Sequence, residues 1–147
     1  MEKHSVPYNE ISFYSRMLAR RIEEKTDISH VVGLARGGLI PATIMSYALD
    51  KPLLSYGISS YKGSKKTENF HVTQTFSLVD LPRNASLLVV DDICDTGDTM
   101  KHITQKLALA DIKYTTACVY TKEKHKDWLD YFGLVVKDNK WIVFPWE

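Results

Sequence analysis

Cysteine and long apolar runs are both scarce in this chain. The two cysteines, Cys94 and Cys118, do not form a Cys-x-x-Cys spacing, so the sequence predicts no zinc site. We expect both to be reduced thiols inside a cytoplasmic protein. The amino-terminal residues MEKHSVPYNE lack the apolar core of a signal peptide, and no apolar run reaches the length that spans a bilayer. We therefore expect no membrane partner.

An excess of charge of one sign is also lacking. The 147 residues include 19 Lys and Arg against 18 Asp and Glu, which gives a formal net charge of +1. A balance of this kind produces no long-range field that would attract nucleic acid, so no nucleic-acid partner is expected. With 44% hydrophobic residues, the chain is long enough to form one domain, residues 1–147, with its own core.

The most informative stretch is LLVVDDICDTGDT at residues 87–99. Residues 87–90 are apolar without alternation, which is typical of a strand buried on both faces of a parallel sheet. Asp91 and Asp92 follow this strand, and a helical pattern begins after Thr99. Ligands of open α/β sheets bind at the carboxyl ends of strands, and a Gly-containing turn at a helix start directs amides at an anion. The stretch therefore predicts a phosphate-binding loop.

The acids of this stretch indicate what accompanies the phosphate. Adjacent carboxylates repel each other unless a cation or a hydroxyl-rich group lies between them. A ribose diol and Mg²⁺ meet both needs, which makes Asp91 and Asp92 candidate ribose and metal ligands. Thr96 and Thr99 add hydroxyl groups, and Gly97 lets the backbone close on an anion. The alternative, a strand-end acid pair of the receiver-domain kind, leaves the Thr-Gly-x-Thr turn without a purpose.

An apolar strand followed by Asp-Asp, two residues and Asp-Thr-Gly-x-Thr resembles the phosphoribosyl pyrophosphate (PRPP) signature of the type I phosphoribosyltransferases. The resemblance implies that Asp91 and Asp92 hold the ribose hydroxyls, directly or through Mg²⁺, and that Asp95 accepts a proton from the base or orients its ring nitrogens. Asp98 is expected to point away from the phosphate and to complement the helix dipole. The implied 5′-phosphate ligands are Thr96, Gly97, Asp98 and Thr99.

A second glycine-containing loop follows an earlier predicted strand at residues 30–34. In ARGGLIPA, Arg36 precedes Gly37 and Gly38, and a mostly apolar helix follows. Two glycines at this point allow a tight turn whose amides face outward. The segment resembles the pyrophosphate loop of the purine phosphoribosyltransferases, in which Arg36 would bind the leaving diphosphate in a bidentate manner. A plain strand-to-helix turn is the alternative.

Helical stripes at 9–25, from about 41 to 50 and at 100–111 alternate with strands at 53–60 and 113–120. Such alternation predicts an α/β fold with a doubly wound parallel sheet, with its core at about residues 7–136. The polar segment 61–77 is lysine-rich, and its residues 70–76 alternate like an exposed strand. The resemblance implies a mobile flap that closes over the reacting centre and, with residues 137–147, forms a small hood; a solvated surface hairpin is the alternative.

Residues near the carboxyl terminus resemble the base-binding segments of the xanthine-guanine and hypoxanthine phosphoribosyltransferases. The resemblance implies that Lys122 donates to the exocyclic oxygen of a 6-oxopurine. It also implies that Trp141 stacks on the base and that the Ile142 carbonyl accepts from its edge. Glu147 stands where the subgroup has an acid. The alternatives are a solvated lysine and an aromatic tail that fills the core or forms a subunit contact.

The implied reaction is transfer of a phosphoribosyl group from PRPP to guanine, xanthine or hypoxanthine, with Mg²⁺ as cofactor and diphosphate as product. The resemblance further implies a homodimer or homotetramer. Two alternatives stay open: phosphoribosyl transfer to another base, and a regulator that senses PRPP without transferring anything. The sensor is disfavoured because such regulators usually carry a nucleic-acid-binding segment, and the sequence shows neither a basic patch nor a helix-turn-helix.

Overall fold

The computed structural model of the chain describes residues 1–62 and 65–147, with side chains described outside 60–71 and 74. The helices are α1 (Tyr8–Lys25), α2 (Leu39–Leu49) and α3 (Asp98–Leu109). The strands are β1 (Glu2–Ser5), β2 (His30–Ala35), β3 (Leu53–Lys62), β4 (Lys65–Gln74), β5 (Ser86–Cys94), β6 (Lys113–Lys122), β7 (Tyr131–Val136) and β8 (Lys140–Val143). Single turns of 3-10 helix lie at Leu78–Asp80 and Glu123–His125. The alternation of helices and strands confirms the predicted α/β class.

The central sheet has the strand order β4-β3-β2-β5-β6-β7, and its neighbouring strands are parallel except for the pair β3 and β4. Helices α1 and α2 cover one face and α3 covers the other, which confirms the doubly wound arrangement. After β2 the chain continues to β3, which lies on one side of the central pair, and after β5 it continues to β6, which lies on the other side. The strand order therefore reverses between β2 and β5, which opens a crevice at their carboxyl ends.

The core is filled by side chains that alternate along β5. Leu87 and Val89 pack in the layer beneath α3, whereas Leu88 and Val90 pack in the layer beneath α1 and α2. All four are fully buried, as their unalternating apolar run predicts for a central parallel strand. The buried residues of α1 follow the predicted stripe and are Ile11, Ser15, Leu18, Ala19 and Ile22.

Strand β5 extends further than its sequence predicts. The apolar run ends at Val90, but pairing with β6 continues until Cys94 lies opposite Thr121. Asp91 and Asp92 therefore lie on the strand, and the prediction that the strand ends before them is wrong. Aspartate is disfavoured in strands, but here pairing with β6 outweighs that local preference.

A second, two-stranded sheet pairs β1 with β8 in parallel. It places residues 2–5 beside the carboxyl-terminal segment, where Glu2 and Lys140 form an ion pair of 2.7 Å between Oε1 and Nζ. The sequence analysis did not predict β1, because its residues EKHS are all exposed and show no apolar alternation. It also did not predict β7, which forms the edge of the central sheet next to β6.

The segment predicted as a flap, residues 61–77, contains β4 and the end of β3. The two strands pair in antiparallel register, with Gly57 opposite Gln74 and Lys62 opposite Lys65. β4 includes most of the strand predicted at 70–76. Residues 63 and 64 lie outside the described residues, and closure of the segment over a ligand stays a prediction.

Two further expectations concern the thiols and the membrane. Cys94 and Cys118 are free and buried, as predicted. None of the helices in the part of the chain that the structure describes has both the length and the apolar character that a membrane crossing needs.

Leu88→Ala is expected to lower the free energy of unfolding by about 2–5 kcal/mol, because it leaves a cavity in a packed layer that cannot fully collapse. Leu109→Ala is the matched control, since Leu109 is 90% exposed at the end of α3. Its effect is expected to stay below about 0.5 kcal/mol. Urea unfolding followed by circular dichroism measures both, and equal losses in the two variants would contradict the layered core.

Candidate active site

The loop that follows β2 lies directly against the end of β5. A Cβ on Gly37 would lie 2.1 Å from Asp92 Oδ2, so a side chain here would have to displace the carboxylate. The Gly38 amide donates to the Leu34 carbonyl at 2.9 Å. The prediction that the loop amides face outward is therefore wrong at Gly38, whose N–H is turned towards β2.

Asp91 and Asp92 form a tightly coupled pair at the crevice. The Asp92 amide donates to Asp91 Oδ1 at 2.9 Å, and the Ile93 amide donates to Asp92 Oδ1 at 2.7 Å. Burial raises the pKa of Asp91 well above its ordinary value, and the charge on Asp92 raises it further. Burial also raises the pKa of Asp92. Both carboxyl groups are therefore more readily protonated than an exposed aspartate unless a cation compensates their charge.

A cavity of about 520 Å³ opens beside this pair and contains groups of both charges. Arg36, whose peptide bond to Ala35 is cis, is exposed and contributes its guanidinium group, which can bind a phosphate through two N–H donors. Asp92 contributes a carboxylate. The cavity can thus bind an anion together with a cation. It is lined by Arg36, Gly37, Ile40, Asp92, Trp146 and Glu147.

A second cavity, of about 80 Å³, lies where β5 turns into α3, and three of the four predicted phosphate-binding residues, Thr96, Gly97 and Thr99, line it, whereas Asp98 does not. Gly97 has a φ of 84°, a conformation that favours glycine, and immediately precedes the first turn of α3. Thr96 Oγ1 accepts a hydrogen bond from the Asp98 amide at 3.2 Å. The phosphate loop, which we define as residues 95–99, therefore lies at a helix N-terminus suited to an anion. The cavity is lined by Asp91, Ile93, Cys94, Asp95, Thr96, Gly97, Thr99 and Met100.

His125 and Trp128 contact the phosphate loop, although the sequence analysis did not single them out. His125 is 5% exposed, and its Nε2 lies 2.8 Å from the carbonyl oxygen of Asp95. The Trp128 indole donates to His125 Nδ1 at 3.0 Å. In the sequence, His125 stands within the charged run KEKHKD, which is typical of a solvated surface. No pattern in the chain distinguishes this histidine from an exposed one.

Lys122 lies at the carboxyl end of β6, as predicted, but it is buried, and the structure shows which groups it contacts. Its ammonium donates to the carbonyl oxygens of Lys140 at 2.5 Å, Lys137 at 3.1 Å and Asp138 at 3.4 Å. Three carbonyls match the three N–H donors of a lysine. Lys122 thus stabilises the turn between β7 and β8, and a contact with a base oxygen stays a prediction.

Trp141 and Ile142 lie on β8 with different exposure. The Trp141 side chain is 48% exposed, whereas that of Ile142 is 7% exposed and packs into the core. Residues Glu2 and Val6 donate their amides to the Asn139 and Val143 carbonyls. In a parallel pair, the backbone groups of every second residue point at the neighbouring strand. Residues 139, 141 and 143 therefore point at β1, and the amide and carbonyl of Ile142 point away from it. The Trp141 ring is therefore exposed, and the Ile142 carbonyl is not used in the pairing of β8 with β1.

The carboxyl-terminal residues reach the larger cavity. Trp146 stacks on Phe144, with the ring centroids 4.8 Å apart and the planes 6° from parallel. Phe144 in turn packs against Tyr120 of the core. The negative charge of Glu147 contributes to the raised pKa of Asp92, which places Glu147 near the acid pair.

Comparisons with known proteins agree with this geometry. Residues 10–147 match the family model described as a phosphoribosyl transferase domain. The chain is 31% identical to a xanthine-guanine phosphoribosyltransferase of Nitratidesulfovibrio vulgaris, covering 97% of this chain and 83% of that protein. It is 32% identical to the xanthine-guanine phosphoribosyltransferase of Idiomarina loihiensis, with 97% and 85% covered. The crystal structure of a purine phosphoribosyltransferase from Pyrococcus horikoshii superposes with a TM-score of 0.82 at 31% identity, covering 100% of this chain and 95% of that one.

Asp91→Asn is expected to raise the melting temperature at pH 7 by a few degrees, because it removes a buried charge and retains the Oδ1 acceptor. The raised pKa of Asp91 means that the folded chain binds a proton more readily than the unfolded chain. Stability therefore falls as pH rises from about 4, the ordinary carboxyl pKa, towards the raised value. The gain of the variant over the wild type is accordingly expected to shrink as pH falls towards 4.

Thermal unfolding between pH 4 and pH 8, with EDTA present to remove divalent cations, measures this difference. Asp27→Asn is the matched control, because Asp27 is exposed and its variant is expected to follow the wild type at every pH. A lower melting temperature for Asp91→Asn at pH 7 would show that the carboxylate stabilises the fold instead.

Proposed function

This chain belongs to the phosphoribosyltransferase family, and we propose that it transfers the 5-phosphoribosyl group of PRPP to a ring nitrogen of a 6-oxopurine. Guanine, xanthine and hypoxanthine are the candidate bases, and the products are the nucleoside monophosphate and diphosphate, as in purine salvage. One observation carries the proposal: the loop of Arg36 and Gly37, the acid pair of Asp91 and Asp92, and the phosphate loop converge at the carboxyl ends of β2 and β5. Ligands of open α/β sheets bind at this position.

The phosphate loop binds the 5′-phosphate in this proposal. The loop ends at the N-terminus of α3, where the amides of the first turn and the helix dipole favour an anion. Thr96 and Thr99 add hydroxyl donors, and Gly97 provides the backbone conformation that closes the loop. The exposed carboxylate of Asp98 belongs to the first turn of α3, where a negative charge complements the dipole.

Asp91 and Asp92 bind the ribose hydroxyls and Mg²⁺. The pair fits the ion because Mg²⁺ prefers oxygen ligands, and because burial raises the pKa of both carboxyl groups so that a cation would relieve their charge. In the described residues, no cluster of three or more His, Cys, Asp or Glu side chains could hold a metal alone. The remaining ligands would then be substrate oxygens and water. When bound, Mg²⁺ would neutralise charge that develops on the diphosphate.

Arg36 and Gly37 form the diphosphate end of the site, with Gly38 closing the turn. Arg36 lines the same cavity as Asp92, so its guanidinium can bind the leaving group on the side away from the phosphate loop. As the bond from ribose C1 to the diphosphate oxygen breaks, charge grows on that oxygen, and Arg36 stabilises it. The ring nitrogen of the purine then forms the new bond to C1.

The purine binds against β8. Trp141 supplies an exposed aromatic face for stacking, and the Ile142 carbonyl can accept from the edge of the base. Lys122 would donate to the exocyclic oxygen only by exchanging one of its carbonyl acceptors, of which Asp138 is the most distant at 3.4 Å. Asp95, which lines the cavity of the phosphate loop, accepts the proton that the ring nitrogen loses.

The protein also forms a homodimer or homotetramer in the cytoplasm under this proposal. Phe13 and Tyr47, on α1 and α2, are 63% and 83% exposed, and self-association would remove such aromatic surface from water. The free thiols of Cys94 and Cys118 are compatible with a reducing compartment.

Incubation of the purified chain with PRPP, Mg²⁺ and guanine, xanthine, hypoxanthine or adenine tests the proposed reaction. Diphosphate release is expected with at least one 6-oxopurine and not with adenine, because the 6-amino group of adenine is a donor and would meet the Lys122 ammonium, another donor, where a 6-oxopurine presents an acceptor. Release with adenine alone would assign another base. Calorimetric binding of PRPP without release for any base would indicate a PRPP sensor.

Asp95→Asn is expected to lower kcat by about 100-fold, the scale of a general base, while the KM for PRPP changes by less than about threefold. The reason is that Asn cannot accept the proton but retains the shape of the loop. Asp127→Asn, at an exposed aspartate of the connection after β6, is the matched control and is expected to match the wild type. Steady-state kinetics at saturating base measures both constants, and an unchanged kcat would remove Asp95 from the mechanism.

A further inference from the structure

We propose that His125 is a positioning residue for the phosphate loop: its imidazole, fixed in one tautomer by Trp128, orients the peptide between Asp95 and Thr96 so that the Thr96 amide faces the 5′-phosphate. This inference rests on the proposed function, because it names a residue that shapes the PRPP site. His125 belongs to the connection between β6 and β7, a segment outside both cavity linings.

The hydrogen bonds of His125 determine its tautomer. Its Nε2 lies 2.8 Å from the carbonyl oxygen of Asp95. A carbonyl oxygen can only accept, so Nε2 carries the hydrogen and donates. The indole N–H of Trp128 can only donate, so Nδ1, at 3.0 Å, accepts and carries no hydrogen. The imidazole is therefore neutral, and each ring nitrogen has one partner.

The bond to Asp95 orients a peptide group of the loop. In a trans peptide, the C=O of one residue and the N–H of the next point in opposite directions. The Asp95 carbonyl points at His125, so the Thr96 amide points to the opposite side of the loop. Without His125, this peptide could turn over and present a carbonyl oxygen to the anion. An anion is bound by amides and repelled by carbonyl oxygens, so the orientation decides whether the loop binds phosphate.

Packing prevents the imidazole from moving away. His125 is 5% exposed, and a Cβ on Gly97 would lie 2.9 Å from its Cε1 and 3.2 Å from Trp128 Cζ2. The ammonium of Lys101, a residue of α3, lies 5.3 Å from the centre of the Trp128 ring. Leu129, the next residue, is buried in the core beneath α3. The histidine and the indole thus form a rigid support for residues 95–97.

The test compares His125→Asn with His125→Gln. Gln places an amide N–H near the position of Nε2 and can still donate to Asp95, whereas Asn reaches only the position of Nδ1. We expect His125→Asn to raise the KM for PRPP and the inhibition constant of ribose 5-phosphate by about tenfold, the scale of one hydrogen bond. His125→Gln is expected to restore most of this loss. The KM for the base and the inhibition constant of diphosphate are expected to stay within about twofold, because they report the other ends of the site.

His30→Asn is the matched control, because His30 is a partly buried histidine at the amino end of β2, whereas the proposed site lies at the carboxyl ends of the parallel strands. It is expected to change none of these constants, and thermal melting of all three variants reports any general loss of fold. Equal effects of Asn and Gln at position 125, a matching change for diphosphate, or no change at all would overturn the inference. Calorimetric binding of ribose 5-phosphate repeats the comparison without turnover, so a wild type that transfers nothing would refute the proposed function and still leave this test decisive.

Discussion

The close approach of Asp91 and Asp92, both partly buried, is the constraint around which the site is arranged. Burial raises the pKa of both carboxyl groups, so the isolated pair is unfavourable in its charged form. The fold nevertheless holds the pair on a central strand and brings Gly37 within reach of one carboxylate. The ribose hydroxyls and Mg²⁺ that we propose as ligands of this pair would relieve that charge. The charge repulsion that costs the fold stability is therefore the same interaction from which such ligands would gain binding free energy.

The connection between β6 and β7 links the two ends of this site. At the end of β6, directly before this connection, Lys122 donates to two carbonyls of the turn that precedes β8 and to the carbonyl of the first residue of β8, the strand proposed to hold the base. Three residues later, His125 donates to the loop proposed to hold the phosphate. Leu129 anchors the same segment in the core. Neither lysine nor histidine needs to touch the substrate to influence where its two ends lie.

The sequence predicts the fold class and the phosphate loop because their signals are local. The apolar run at 87–90 and the turn at 95–99 each carry their chemistry within a few consecutive residues. The hydrogen-bond partners of Lys122 and His125 depend on how the segments after β6 and β7 fold back over the sheet. The spacing of apolar residues in the sequence does not predict this. Strand β1 is polar and exposed, so only its pairing with β8 makes it a strand. The roles of individual site residues remain predictions for the same reason, since they depend on bound substrate.

Side chains alternate in burial along β8 and the residue that follows it. Ile142 and Phe144 are buried against the core, whereas Trp141, which we propose as the stacking ring, is exposed and Val143 is partly exposed. A substitution at Trp141 therefore changes the surface offered to a ring without opening a cavity beneath it. The sheet of β1 and β8 is also separate from the six-stranded sheet that holds the phosphate loop. Under the proposed function, the ring that meets the base can therefore be exchanged during evolution while Ile142 keeps the strand anchored in the core.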